Sequence, residues 1–319
     1  MTDFTVLVLE DAYPTSVAIT VDTLRAAARL APRLGVPVPR WRLVSAYGGP
    51  VLLQGGLAVV TDPLPKRRDD SVWVVPGIGT ETPAVLDRRL AKPDVPLAIR
   101  ALARHARGGG TVAASCSSVF LLAGAGLLEG RRATTTWWLA PLLAEREVGC
   151  TVDADRMVCA DGPVVTAGAA FAQTDLMLHL LRTYGGSALT DAVARTLLID
   201  AREAQAPYVV PEMLANGDEM VARIVTLVED ALPDPPSVAG LAATLAVSER
   251  TLARHVTRST GKSTLALVQS VKVRRARALL ENSRMTVEQV AEAVGYQDST
   301  ALRRAMRKSV GATPSRYRT

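Results

Sequence analysis

The stretch from Ser237 to Arg318 constrains the fold most, because it carries one pattern twice. The first copy reads Ser237-Val-Ala-Gly-Leu-Ala-Ala-Thr-Leu-Ala-Val-Ser-Glu-Arg-Thr-Leu-Ala-Arg-His-Val256. The second reads Thr286-Val-Glu-Gln-Val-Ala-Glu-Ala-Val-Gly-Tyr-Gln-Asp-Ser-Thr-Ala-Leu-Arg-Arg-Ala-Met306. Each predicts a short helix, a tight turn and a second helix. Ser248 and Asp298 are natural N-caps for the second helices. Leu252 with Val256, and Leu302 with Met306, recur at i, i+4 and predict an inward face. The small residues Ala242 and Ala246, and Ala291 and Gly295, are expected where the two helices of each copy cross closely. Arg250 and Arg254, then Ser299, Thr300, Arg303 and Arg304, are left pointing outward.

Charge gives this pattern a chemistry. Residues 1–215 hold 21 Lys and Arg against 21 Asp and Glu, whereas from Ser237 onward the count is 15 against 5. A basic C-terminal piece on a neutral body is the electrostatic footprint of a nucleic-acid module; a solvated basic face is the plainer alternative. Arginine on an exposed helix can fork onto guanine O6 and N7, or bind phosphate. Between the copies, Thr264–Glu281 predicts a long helix bearing Lys272, Arg274, Arg275 and Arg277. Such a connector could hold two recognition helices about one DNA turn apart, roughly 34 Å. Two helix-turn-helix units at fixed spacing on a basic segment therefore predict a double-stranded DNA operator as partner. Upstream, Asp218–Leu232 is amphipathic, with Met220, Ile224, Leu227, Val228 and Leu232 on one side. It is expected to pack on the first unit before Pro233-Asp-Pro-Pro236 breaks the helix.

The remaining two-thirds reads differently. Short apolar runs at Phe4–Leu9, Trp41–Ala46, Leu57–Val60, Val72–Val75, Thr111–Ser115, Met157–Ala160 and Val164–Ala167 predict strands, with Val148–Asp155 a further candidate. Asp161-Gly162 marks a hairpin. Helices are expected at Ser16–Leu30, Val95–Arg107, Ser117–Leu128, Ala169–Thr183 and Ala188–Gln205. This alternation argues for a mostly parallel, three-layer α/β sheet. Together the two parts make an α/β chain: an N-terminal three-layer, flavodoxin-like sheet domain over residues 1–205, a linker over 206–215 containing Pro207 and Pro211, and an all-α domain over 216–319 with two helix-turn-helix units. The longest apolar runs fall far below the ~18–20 residues of a membrane span, and no basic region precedes an apolar run at Met1, so no membrane or secretory segment is expected. Cys116, Cys150 and Cys159 show neither disulfide nor zinc spacing, as in a reducing cytoplasm. No cofactor or metal motif is present.

One N-terminal motif carries chemistry. Thr111-Val-Ala-Ala-Ser-Cys116-Ser-Ser-Val-Phe-Leu-Leu-Ala-Gly predicts a strand, a sharp turn and a helix, with a cysteine at the turn as in a nucleophile elbow. The helix N-terminus is expected to lower the thiol pKa. Gly77-Ile78-Gly79 after the Val72–Val75 strand could add an N–H to an oxyanion hole. A small apolar cysteine packed at a turn is the alternative.

Residues 216–319 resemble the DNA-binding domain of the AraC/XylS family. The likeness rests on Leu241-Ala242, Ser248-Glu-Arg-Thr-Leu252, Thr260-Gly261-Lys262, Arg274-Arg-Ala-Arg-Ala-Leu-Leu280, Val290-Ala291, Gly295-Tyr296 and Gly311-Ala-Thr-Pro314-Ser-Arg-Tyr-Arg318. It implies that Arg250, Arg254, Ser299, Thr300, Arg303 and Arg304 read DNA. Val256 and Met306 stand where that family often has Phe, and both stay apolar. Residues 3–185 resemble the PfpI-like, class I glutamine-amidotransferase-like fold through Val74-Val-Pro-Gly77, Cys116 with its helix, Ala123-Gly-Ala-Gly-Leu-Leu-Glu-Gly-Arg-Arg-Ala-Thr-Thr135 and Val165-Thr-Ala-Gly168. The combination resembles GlxA-type regulators.

In enzymes of the PfpI-like family a glutamate and a histidine serve the cysteine. The matching positions here hold Ser16 and Thr136. His105, His179 and His255 lie elsewhere in the sequence, so Cys116 lacks a proton-shuttling partner and no catalysis is expected. A Cys116-dependent hydrolase or glyoxalase-like enzyme fused to a DNA-binding domain remains the alternative, with Glu10 or Asp11 as substitute acids. Otherwise the resemblance implies a sensor that forms a homodimer through the N-terminal domain, with RNA polymerase a further partner. Its effector pocket would comprise Gly77, Ile78, Cys116, Ser117, Thr136 and Trp137, with Trp138 beside them. A tryptophan face there suits an amine or amino-acid derivative by cation–π contact; core or dimer-interface packing is the other use for those rings.

Overall fold

The computed structural model describes residues 3–67, 69–80, 82–199, 218–310 and 313–317. The linker expected at 206–215 and the tail of the Ala188–Gln205 helix lie outside them. The chain divides into two compact units, residues 1–203 and 204–319.

The first unit is an eight-stranded sheet with helices on both faces. In chain order its elements are β1 (Asp3–Leu7), α1 (Pro14–Leu30), β2 (Arg40–Ser45), β3 (Gly49–Leu52), β4 (Ala58–Pro63), β5 (Val72–Val75), α2 (Pro83–Leu90), α3 (Asp94–Arg107), β6 (Val112–Ser115), α4 (Val119–Gly124), β7 (Arg132–Ala133), α5 (Ala140–Arg146), β8 (Thr151–Val152), β9 (Val158–Asp161), β10 (Val164–Ala167) and α6 (Ala172–Thr196). The strand order is β3-β4-β2-β1-β5-β6-β10-β9, with β7 and β8 paired separately. All central pairings are parallel; only β3 on β4 and β9 on β10 are antiparallel. Parallel strands are covered on both faces, which is why β5, β6 and β10 are buried at every residue. One core layer packs α1 and α6 on one face, and a second packs α3 and α4 on the other.

Several local expectations shift. The elbow helix expected at Ser117–Leu128 is a 3-10 turn, Cys116–Ser118, followed by α4 over Val119–Gly124. A left-handed Gly126 follows it (φ 69°), a backbone that suits glycine. The two expected helices from Ala169 onward are one element, α6, broken at Gly186, where φ 83° and ψ 168° leave the helical region. The strand expected at Val148–Asp155 reduces to β8. The hairpin at Asp161-Gly162 is present, with Val164 opposite Asp161 and Gly162 at φ 58°.

The second unit is all helical: α7 (Glu219–Asp230), α8 (Val238–Thr244), α9 (Glu249–Thr260), α10 (Thr264–Asn282), α11 (Val287–Ala293), α12 (Ser299–Val310) and a closing 3-10 turn, Pro314–Tyr317. Most starts are capped as the sequence requires. Ser237, Ser248 and Ser263 accept from Gly240, Thr251 and Ala266 N–H groups, and Asp298 Oδ1 accepts from Ala301 N–H at 2.7 Å. Thr286 and Gln289 form a reciprocal capping box. The buried stripe of α7 is Val221, Ile224, Val225 and Val228; Met220, Leu227 and Leu232 are only half-buried, so the face is rotated from the expected one.

Candidate DNA interface and elbow site

The two helix-turn-helix units repeat down to their hydrogen bonds. In the first, Ala246 N–H donates to Ala243 O (3.1 Å) and Val247 N–H to Ala242 O (3.0 Å). In the second, Gly295 N–H donates to Glu292 O (2.9 Å) and Tyr296 N–H to Ala291 O (2.8 Å). Both are the paired bonds of a Schellman turn, which places its pivot residue in the left-handed region. Ala246 has φ 55° and Gly295 φ 72°. Ala246 and Gly295 therefore turn the chain and are not crossing-point residues, while Ala242 and Ala291 are buried as expected. Leu252, Val256, Leu302 and Met306 are buried. Arg250, Arg254, Thr300, Arg303 and Arg304 are exposed along α9 and α12. Ser299 is half-buried, and its hydroxyl and Arg303 both help hold the Glu288 carboxyl below its ordinary pKa, behind the contribution of its own backbone N–H.

The basic residues of α10 do more inside the unit than their charge suggests. Lys272 is buried; its Nζ donates to Gly295 O at 2.6 Å and lies 4.4 Å from the Tyr296 ring centroid. Burial lowers its pKa. Tyr296 closes the clamp by donating its hydroxyl to Gln269 Oε1 (2.7 Å), and burial raises its pKa to about 12. Arg274 pairs with Glu229 of α7, and Arg277 with Glu281 (2.6 Å) and the Tyr317 ring (5.0 Å). Only Arg275 among these four is exposed. The first helix-turn-helix is tied by Asp218, which caps α7 and meets His255 Nε2 (2.6 Å) and the Ser259 hydroxyl of α9. Burial works to raise the Asp218 pKa, but hydrogen bonds from Ser259, His255 and the Val221 N–H hold it below the ordinary value.

In the first unit, Cys116 sits at the end of β6 with φ 56°, the strained turn the motif predicts. Two bonds fix it: Cys116 N–H donates to Gly168 O (2.7 Å) and the Thr135 hydroxyl to Cys116 O (2.7 Å). The facing glycine is required, because a Cβ on Gly77 would come within 2.8 Å of Cys116 Cβ, 3.5 Å of Ser16 Oγ and 3.6 Å of Cys116 Sγ. Gly77, Cys116 and Ser16 thus converge, with Ser16 Oγ donating to Ala170 O (3.2 Å).

Two expectations for this elbow fail. The Cys116 pKa is not lowered: complete burial pushes it up to about 11, against a partial opposing effect of the Ser117 backbone and hydroxyl. Nor does the Gly77-Ile78-Gly79 turn offer free N–H groups at Ile78 or Gly79. Ile78 N–H donates to Ser118 Oγ (3.1 Å) and Gly79 N–H to Asp11 O (2.9 Å). Ser117 and Ser118 hydroxyls donate to Ile78 O and Pro76 O. Glu10 and Asp11 are engaged by Lys92 at 2.9 and 2.8 Å on a half-exposed surface. Arg89, which the sequence reading missed, is buried beside them; it donates to Glu10 O (2.8 Å) and forks onto Asp94 (2.9 and 2.6 Å). Thr136 and Trp137 are buried next to Thr135, and the Thr136 hydroxyl has no partner among the described residues. Trp137 meets Trp138 edge-on at 5.0 Å. His105 stacks on Trp73 (5.0 Å) in the space Gly110 leaves, and His179 is half-buried on α6 rather than in the core.

Residues 41–183 match the DJ-1/PfpI family, and residues 241–319 match a helix-turn-helix domain. The HTH-type transcriptional regulator CdhR of Pseudomonas aeruginosa is 28% identical over 91% of this chain and 84% of its own length. The HTH-type transcriptional regulator GlxA of Rhizobium meliloti is 27% identical over 95% and 91%. Among solved structures, an AraC family transcriptional regulator from Pseudomonas putida superposes with a TM-score of 0.52 at 22% identity, over 62% of this chain and all of that one, a likeness of fold. Fold, helix-turn-helix geometry and relatives define a DNA-binding transcriptional regulator rather than an enzyme. The chain thus joins a DJ-1/PfpI domain to a helix-turn-helix domain of AraC type, the arrangement in which its relatives named as HTH-type transcriptional regulators match it over most of its length. No helix among the described residues is long and apolar enough to cross a membrane.

Proposed function

We propose that this regulator reads its operator with Arg250, Arg254, Ser299, Thr300, Arg303 and Arg304. The observation that carries the reading is the repetition of one capped turn, with exposed arginines at Arg254 and Arg304 in equivalent places, each two residues past a buried leucine. The PfpI-like unit is a non-catalytic sensor and homodimerisation module. Its effector, a small molecule of amine or amino-acid type, binds around Gly77, Ile78, Cys116, Ser117, Thr136 and Trp137. The buried Thr136 hydroxyl, without a partner among the described residues, supports this reading, since such a group favours a ligand or water that satisfies it. Cys116, raised to about 11 and lacking a base, serves packing there. The protein works in the cytoplasm, where effector or dimer geometry changes how the two DNA-binding domains meet paired half-sites and RNA polymerase.

Footprinting of the full-length protein on its own promoter tests this. Each chain should protect two successive major-groove segments about one turn apart. Protection of a single segment contradicts the tandem reading. Turnover of hydrolase or glyoxalase substrates that disappears in Cys116→Ala contradicts the sensor reading.

A further inference from the structure

A groove on the outer side of the first unit, between α1 and the end of α6, has features that the elbow lacks. Its volume is about 520 Å³, and it is lined by Arg25, Arg29 and Arg33, with Asp22 one turn before Arg25 and Thr196 at the far wall, over Ala26, Leu30 and Leu197, so three guanidinium groups face one carboxylate. The arginines are exposed and spaced by four, so they form one row along α1 and the 3-10 turn that follows it. None of the three has a hydrogen-bond or ion-pair partner among the described residues. Elsewhere in this unit Arg40, Arg89, Arg146 and Arg182 each hold an aspartate. Like charges at i, i+4 repel. The helix C-terminus offsets this only near Arg29, in the last turn. The floor is apolar: Ala26, Leu30 and Leu197 are half-buried at the rim of the core.

We propose that this groove binds an amphipathic organic anion, its oxyanion head held by the forks of Arg25, Arg29 and Arg33 and its apolar part laid on Ala26, Leu30 and Leu197. Guanidinium matches carboxylate and phosphate in a planar two-bond geometry, which sets the head-group class. The apolar floor separates the ligand from a free inorganic ion. Thr196 ends α6 and Leu197 follows it, so occupancy braces the end of that helix against α1. The site is separate from the elbow and stands or falls independently of it.

The test is calorimetric titration of the full-length protein with octyl phosphate, octanoate, inorganic phosphate and acetate. Saturable binding of octyl phosphate or octanoate is expected, and the tighter of the two identifies the head group. Arg25→Gln/Arg29→Gln should weaken it at least about tenfold, as loss of charge-assisted hydrogen bonds implies. Its thermal midpoint without ligand should be unchanged or slightly higher, because like charges have been removed. Arg25→Lys/Arg29→Lys should bind with intermediate affinity. The proposal is overturned by absence of saturable binding, by binding that persists in the glutamine pair, or by inorganic phosphate binding as tightly as octyl phosphate. Wild-type affinity in the lysine pair would overturn recognition by the guanidinium fork.

Discussion

The turns at Ala246 and Gly295 make the same two hydrogen bonds, yet their surroundings differ. Ala246 is exposed and carries its Cβ at φ 55°, a backbone that costs about 1–2 kcal/mol for an L-residue. At Gly295 the same shape is held from outside: the Pro233 carbonyl fills the place of a Cβ, and Lys272 Nζ bonds the Gly295 carbonyl at 2.6 Å. The second turn is also one residue longer, since the pivots lie at 246 and 295 but the caps at 248 and 298. The first outward helix, α9, is thus anchored through its own cap and the Asp218–His255–Ser259 cluster. The second is set by a clamp from the connecting helix. A repeated motif can keep its hydrogen bonds while changing what positions it.

The largest expected effect is Gly295→Ala. A left-handed alanine against a backbone carbonyl should cost about 3 kcal/mol by denaturant unfolding, combining strain and overpacking. Near-neutral behaviour would show that the Pro233 segment yields and the clamp is soft. Lys272→Met removes a charged hydrogen bond and a cation–π contact and should cost about 1–2 kcal/mol. Its operator affinity should keep the wild-type salt slope, because each phosphate contact contributes about 0.9 to that slope; a fall of that size would place Lys272 on DNA. Asp218→Asn keeps the cap but loses the carboxylate's charge-assisted bonds to His255 and Ser259, and should cost about 1 kcal/mol at neutral pH. The Asp218 pKa is lower folded than unfolded, so its stabilisation is full above the ordinary carboxylate pKa near about 4 and is lost as pH falls through the folded value. Wild type and Asp218→Asn should therefore converge in acid; a constant gap would remove the carboxylate from the account. The smallest effect is Ala246→Gly, which should stabilise by about 0.5–1 kcal/mol after the entropy of glycine offsets part of the relieved strain.

Much of this was legible in the sequence where one local signal suffices. Val72–Val75 and Val164–Ala167 are strands at the expected bounds, because continuous apolar runs mark strands covered on both faces. The caps at Ser248 and Asp298 follow from side chains that bond their own backbone. Elements without such a signal were missed: β3 (Gly49–Leu52) is an edge strand containing a proline, and α2 and α5 are short. The elbow at Cys116 was readable as a turn but not as a sealed one. Its N–H groups and hydroxyls are taken up by Gly168, Ile78, Pro76 and Asp11, partners from loops at the ends of other strands that no local pattern announces. For the same reason the charge of Lys272 was legible and its burial was not. The pairing of Arg89 with Asp94 is five residues apart and partly local, yet its bond to the Glu10 carbonyl needs the sheet.

The central claim is that two equivalent exposed arginines read one operator from two helices. It is tested most directly by titrating the mapped operator, and every single-base variant of it, with wild-type protein, Arg254→Ala and Arg304→Ala at one salt concentration. Each substitution should cost about 1–3 kcal/mol and relax preference at a different position, the two positions lying about one DNA turn apart. Wild-type affinity in both variants, or loss of preference at one shared position, would contradict the placement of α9 and α12 in successive major grooves.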